Sequence, residues 1–261
     1  MRFASLGSGS RGNALVVEVE AGGRYTRVLL DCGFGPRELT RRLGLLGLAP
    51  GDLDAIVLTH EHSDHSAGVH SCARRHQTEV YLTHGTLGEL AAGGGLAALP
   101  ALRLIASDLA FSIGALEISP FPVPHDAREP VQYTFSDGRH RLGVLTDAGV
   151  ATPHMRAMLD GCDALVLECN HDAQMLSRSA YPYSLKQRIA GPYGHLANDA
   201  AGALLASLER SRLQHLVAAH LSQENNTPQL ARSALAAAGG YSEAWIVVAS
   251  QETGFSWLEL E

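Results

Sequence analysis

Short apolar runs separated by glycines and polar residues dominate the first part of the chain, and those over 2–6, 14–19 and 27–31 have the length and β-branched content of strands. The segment Leu53-Asp54-Ala55-Ile56-Val57-Leu58 reads as a buried strand, followed by a turn into a helix beginning near Ser66. Farther along, apolar runs at 121–124, 143–146 and 213–220 alternate with helical spacing over 199–208 and 228–238. Pro228 opens the last helix and Gly239 ends it, while Pro153 starts another. The terminal runs 244–249 and 255–260 read as a hairpin joined through Glu252-Thr253-Gly254. This pattern predicts an α/β fold of two mixed sheets faced by outer helices. The Gly- and Ala-rich stretch 91–98 is short and reads as a surface turn, so one domain is expected over 1–261.

Composition narrows the classes. At 261 residues and 46% hydrophobic, the chain can bury a large core. Cys32, Cys72, Cys162 and Cys169 show no CxxC spacing, which argues against a zinc knuckle or disulfide framework and for free thiols used as small buried filler. No basic region with an apolar stretch of signal length opens the chain, and no run approaches bilayer length, so a cytoplasmic protein without membrane contact is expected. A formal charge of -7 excludes a bulk nucleic-acid binder, so any such contact must be local.

Thr59-His60-Glu61-His62-Ser63-Asp64-His65 changes the picture most. Imidazoles and a carboxylate this crowded are costly to bury unless a cation sits among them. His60 and His62, two apart on an extended backbone, point the same way and can share one ion; the turn that follows gives Asp64 and His65 other directions, toward a second ion or its water. The competing reading is a polar loop that happens to be rich in histidine. Four later residues, Asp31, His125, Asp147 and His220, each close an apolar run.

The block resembles the HxHxDH signature of the metallo-β-lactamase fold, a superfamily of mostly dinuclear metallohydrolases with an αββα four-layer sandwich. That resemblance implies His60, His62 and His125 around a first metal, Asp64, His65 and His220 around a second, and Asp147 bridging both, with Asp31 orienting the ligands. Ser5-Leu6-Gly7-Ser8-Gly9-Ser10-Arg11-Gly12-Asn13, Thr146-Asp147-Ala148-Gly149, Glu168-Cys169-Asn170-His171-Asp172, Gly194-His195-Leu196-Ala197-Asn198 and His220-Leu221-Ser222-Gln223-Glu224-Asn225-Asn226 are similar to the YycJ-like (WalJ-like) group. The match runs through nearly the whole chain; Ala197 stands where the group commonly has serine, which puts only a hydroxyl contact in doubt. The group implies a nuclease that degrades DNA from the 5′ end, with a part in DNA repair.

Two divalent ions, with zinc, manganese and iron all compatible, would supply a bridging hydroxide and clamp a phosphodiester, and Asp64 would aim that hydroxide. His195 and His171, in polar loops, are the candidate proton donors to the leaving oxygen; an ordinary loop histidine is the alternative for each. Ser8, Ser10, Asn13, Asn170, Lys186 and Arg188 are the expected substrate contacts, although a tight strand connection accounts equally well for the first three. The loop 177–193 mixes cations with tyrosines and reads either as a lid over a nucleic-acid end or as a solvated loop. DNA is favoured over RNA. An RNA-processing nuclease and a glyoxalase-like thioesterase or lactonase remain the alternatives.

Overall fold

The computed structural model describes residues 1–92 and 101–261. The first sheet takes β1 (Arg2–Gly7), β2 (Ala14–Ala21), β3 (Arg24–Leu30), β4 (Ala55–Val57), β5 (Glu79–Thr83) and β6 (Leu102–Ile105), side by side in that order. The second takes β7 (Phe111–Ile113), β8 (Leu116–Pro122), β9 (Val131–Ser136), β10 (Arg141–Leu145), β11 (Ala164–Glu168), β12 (His215–Ala219) and β13 (Val247–Val248). The last strand, β14 (Phe255–Glu259), returns to pair with β1, so each sheet has seven strands. Pairing is antiparallel from β14 to β3 and parallel from β3 to β6; the second sheet repeats this, antiparallel from β7 to β10 and parallel from β10 to β13.

Helices α1 (Pro36–Leu45), α2 (Ser63–Ser66), α3 (Val69–His76) and α4 (His84–Ala92) accompany the first sheet, and α5 (Pro153–Leu159), α6 (Ala173–Arg178), α7 (Tyr183–Ile189), α8 (Asn198–Ser207) and α9 (Pro228–Gly239) the second. Strand alternation explains the layering. On β2, Leu15, Val17 and Val19 join the core shared with Ile118, Tyr133, Val144 and Val217 of the facing sheet, while Val16 points the other way, toward Leu39 and Leu43 of α1. A third cluster packs Leu145 and Leu167 against Leu205 of α8 and Leu235 of α9. The result is the αββα sandwich expected from the sequence, with parallel strands apolar on both faces because both are covered.

Several local expectations change. The terminal runs do not form a hairpin: β13 pairs in parallel with β12 and β14 pairs antiparallel with β1, so the chain crosses between sheets, and only the isolated bridge Ser250–Gly254 remains of the turn. The helix expected near Ser66 starts at Ser63, and α9 is capped by Gly240 (φ 73°), not Gly239. Ala91 and Ala92 end α4; the rest of the expected turn, 93–98, lies outside the described residues. The segment 177–193 is largely helical rather than a loop, since it takes in the end of α6 and all of α7. The four cysteines are buried free thiols. Among the described residues no helix is long and apolar enough to cross a membrane.

Two hydrogen bonds join the sheets beneath the histidine block. The Tyr133 hydroxyl, inside the inter-sheet core, donates to the Leu58 carbonyl at 2.6 Å, and the Val131 amide donates to the Thr59 carbonyl at 3.0 Å. Both ties fix the backbone leading into His60. Replacing Tyr133 with Phe keeps the ring and strands the Leu58 carbonyl oxygen without this donor. We expect a loss of about 1–3 kcal/mol in urea unfolding, read as a lower midpoint at unchanged slope.

Candidate metal centre

Asp31, the block from His60 to His65, Asp147 and His220 follow strands with parallel partners, Glu168 ends β11, His125 follows antiparallel β8, and Asn13 lies between β1 and β2. Three imidazole atoms meet first. His60 Nε2 lies 3.0 Å from His62 Nδ1, and His125 Nε2 lies 3.3 Å from the same atom. Beside them, Asp64 Oδ2 lies 3.4 Å from His65 Nε2 and 3.6 Å from His220 Nε2. Asp147 links the two triads, because its carboxylate converges with both His60 and His65, at 3.1 Å from His65 Nε2.

The imidazoles are held from behind, which decides what they present inward. His65 Nδ1 donates to Asp31 Oδ2 at 2.7 Å, His60 Nδ1 meets Thr59 Oγ1 at 2.9 Å, and His125 Nδ1 donates to the Gly194 carbonyl at 3.0 Å. With Nδ1 engaged from behind, Nε2 is the atom that each of these rings turns toward the cluster. Asp31 in turn accepts the Thr59 amide and hydroxyl at 2.9 and 3.0 Å, so its carboxylate serves the loop and His65 without joining the convergent groups.

Sequence reasoning missed Glu168 as a site residue, although the motif around it was noted. Its fully buried carboxylate faces His195 Nδ1 at 2.8 Å and His220 Nδ1 at 3.0 Å, and accepts the Ala148 and Leu196 amides at 2.9 and 3.1 Å. The available signal was a lone acid closing the apolar run of β11, where burial demands partners.

The other expected residues divide. Asn13 is tied to the centre: its Nδ2 lies 3.2 Å from Asp64 Oδ2 and 3.1 Å from His65 Nε2, and its backbone amide donates to the Asp64 carbonyl at 2.7 Å. Ser8 Oγ accepts the His220 amide and Asn170 Nδ2 donates to the His220 carbonyl, so both shape the His220 turn rather than presenting a free donor. Ser10 is exposed. His171 is buried, hydrogen-bonds Asn170, and is not among the groups whose ligand atoms converge. Lys186 and Arg188 lie on α7, Lys186 donating to the Ser177 carbonyl and Arg188 pairing with Asp126.

Charge is balanced between carboxylates and rings. Burial opposes ionisation of Asp147, yet His220 and His65 outweigh it and hold its acidity well below the usual carboxylate range. Burial likewise disfavours charged His195 and His220, but Glu168 and Asp147 push His195 up to about 10, and Asp147, Asp64 and Glu168 push His220 up to about 9. His60, buried and surrounded by other imidazoles, is driven the opposite way.

Two central atoms show what is missing from this balance. Asp147 Oδ2 and His220 Nε2 are buried and make no well-formed hydrogen bond among the described residues, although His65 Nε2 lies 3.1 Å from the first and Asp64 Oδ2 3.6 Å from the second. Groups left so at this depth cost about 1–3 kcal/mol each, and a divalent cation supplies the partner both lack. A set of imidazole and carboxylate donors fits two such ions; zinc, manganese and iron all accept it.

Two outcomes follow from this geometry. Glu168→Gln puts an amide donor against N–H groups and lowers metal affinity by about tenfold to a hundredfold in chelator competition. Because cations replace protons held on the rings, metal loading releases protons, seen as a buffer-dependent heat in titration calorimetry.

Comparisons with known proteins agree with the fold and the cluster. The family profile described as "Beta-lactamase superfamily domain" matches residues 26–220. Exodeoxyribonuclease YycJ of Bacillus anthracis is 32% identical over 89% of this chain and 86% of that protein. Exodeoxyribonuclease WalJ of Streptococcus pneumoniae is 33% identical over 88% of this chain and 85% of its own. The metallo-β-lactamase fold protein YhfI from Bacillus subtilis superposes with a TM-score of 0.73, covering 99% of both chains at 17% identity, a likeness of fold alone. With more than half of its length matched by the profile and an αββα sandwich carrying a buried His/Asp cluster, the chain belongs to the metallo-β-lactamase superfamily.

Proposed function

We propose that the protein is a dinuclear metal-dependent phosphodiesterase that removes nucleotides from the 5′ end of DNA. The observation that supports this reaction class is the sharing of Asp147 between two triads of inward-facing ligand atoms. The choice of DNA draws on the two relatives named exodeoxyribonucleases, which align over most of their own length.

In this reading His60, His62 and His125 would hold one cation, Asp64, His65 and His220 the other, with Asp147 shared between them. Bound there, such a pair would supply acidified water and charge to offset that building on the phosphate oxygens. The chain's own groups do the rest. Asp64, half-buried and fixed by Asn13, orients that water through its carboxylate. Glu168 clamps His195 through Nδ1, leaving Nε2, without a partner among the described residues, to deliver a proton to the leaving oxygen. His195 keeps partial access to solvent, whereas buried His171 has no comparable route, so His195 is the proton donor.

The test supplies metal-free protein with zinc, manganese or iron and offers 5′-phosphorylated DNA, RNA and an acyl thioester side by side. Release of nucleotides from the 5′ end of DNA is expected, with the thioester intact; thioester hydrolysis with both nucleic acids untouched sinks the reading. His195→Ala lowers kcat on DNA by about a hundredfold or more while metal content stays at wild type.

A further inference from the structure

Two of the four cysteines meet. The thiols of Cys32 and Cys72 hydrogen-bond each other within one apolar cluster, Cys32 fully buried and Cys72 2% exposed. The backbone sets up the encounter. The Gly68 amide donates to the Cys32 carbonyl at 2.7 Å and the Cys72 amide to the Gly68 carbonyl at 3.0 Å, so Cys72 lies one helical turn beyond a residue fastened to Cys32. Gly68 leaves room for the sulfur, since a Cβ there would stand 2.8 Å from Cys32 Sγ. The hydrogen bond between them holds the Cys72 thiol below its ordinary range and pushes Cys32 above it, which makes Cys72 the more readily ionised partner.

Solvent approaches the pair from the Cys72 side. An open cleft of about 380 Å³ runs between α1 and α3, with Cys72 in its wall. Arg37, Arg75 and His76 line the same cleft and no carboxylate does. Cations without an acid among them favour a thiolate over a thiol. Cys32 is not part of that wall; it lies against Cys72 in the core and is tied to the ligand loop instead. Its amide donates to the His65 carbonyl at 2.7 Å, and the preceding residue, Asp31, meets His65 Nδ1 at 2.7 Å. A covalent bond drawing Cys32 toward α3 therefore acts on the backbone that presents Asp64 and His65.

We propose that Cys72 and Cys32 form a peroxide-sensitive thiol pair whose disulfide weakens the hold of the centre on metal. The Cys72 thiolate attacks one oxygen of hydrogen peroxide, the O–O bond breaks, and the departing hydroxide takes up a proton to leave as water, giving Cys72 sulfenic acid. The Cys32 sulfur then attacks the Cys72 sulfur, the S–O bond breaks, and the Cys32 proton leaves with that oxygen as a second water. Two electrons pass from the sulfurs to the peroxide, and a dithiol reductant returns them. Cys162 and Cys169 stay out of this chemistry, because both are buried and burial pushes their thiols up, Cys162 to about 11.

The test treats folded, zinc-loaded protein with hydrogen peroxide, zinc being chosen because it does not change oxidation state. Mass spectrometry is expected to find a product lighter by about 2 Da, with Cys32 cross-linked to Cys72 and with Cys162 and Cys169 still open to alkylation after unfolding. Chelator competition is expected to show zinc held about tenfold more weakly, and dithiothreitol to reverse both changes. Cys32→Ser leaves Cys72 as a sulfenic acid that dimedone traps, and Cys72→Ser keeps its zinc affinity through peroxide treatment. Absence of the cross-link in the wild-type protein, oxidation of Cys162 or Cys169 ahead of Cys72, or a cross-link that leaves zinc affinity unchanged overturns the proposal. None of these readouts uses DNA, so their outcome is separate from that of the nuclease reading.

Discussion

Carboxylates buried where the central strands end set the terms for the rest of this molecule. Asp31, Asp147 and Glu168 are each at most 3% exposed, and an ionised carboxylate in such a place is costly unless charge and hydrogen bonds compensate it. Imidazoles supply that compensation. His65 lies between Asp31 and Asp147, while His195 and His220 lie between Asp147 and Glu168. The interleaving joins the end of β3 in one sheet to the ends of β10 and β11 in the other. The junction of the sheets and the candidate metal centre are thus one network of buried charges.

The two halves share a plan and divide the labour. Asp31-Cys32-Gly33 follows β3 and Asp147-Ala148-Gly149 follows β10, the strands at which each sheet turns from antiparallel to parallel pairing. In each the glycine is required by close approach: a Cβ on Gly33 would overlap the Asp64 carbonyl, and one on Gly149 the Pro192 backbone. The duties differ because the partners differ. Asp31, held in the left-handed region at φ 60°, turns its oxygens to Thr59 and His65 Nδ1, whereas Asp147 turns Oδ2 into the centre, toward His65 Nε2. His84 after β5 and His220 after β12 diverge in the same way. His84 is exposed and opens α4; His220 is buried at φ 55°, a strained conformation that the Ser8 and Asn170 contacts to its backbone stabilise.

Legibility of the site followed sequence distance. The crowded block from His60 to His65 announced itself because four potential ligands within six residues have no ordinary structural use. Asp31, His125, Asp147 and His220 were readable as polar stops on apolar runs, and the fold places them at one rim. Glu168 carries the same signature, yet nothing local separates it from a surface acid at a strand end. Its meaning depends on His195 and His220, 27 and 52 residues away, arriving at its two sides. For Asn13 the chain alone allows a substrate contact or a tight strand connection, and the fold staples it to Asp64, 51 residues on.

Apolar period and punctuation by themselves determined the strands, most helices and the layered α/β class, because side-chain alternation and 3.6-residue spacing are local properties of the backbone. They did not determine which strands pair. The final two runs look like a hairpin on local evidence, but the free edges of β12 and β1 each capture one of them, and edge pairing is decided by the finished sheets. Nor did the chain disclose that its halves repeat one topology, since that symmetry lives in strand order and not in residue identity. Only the tertiary structure decided which polar residues meet, because buried charge selects partners by distance in space, and the chain folds to supply them.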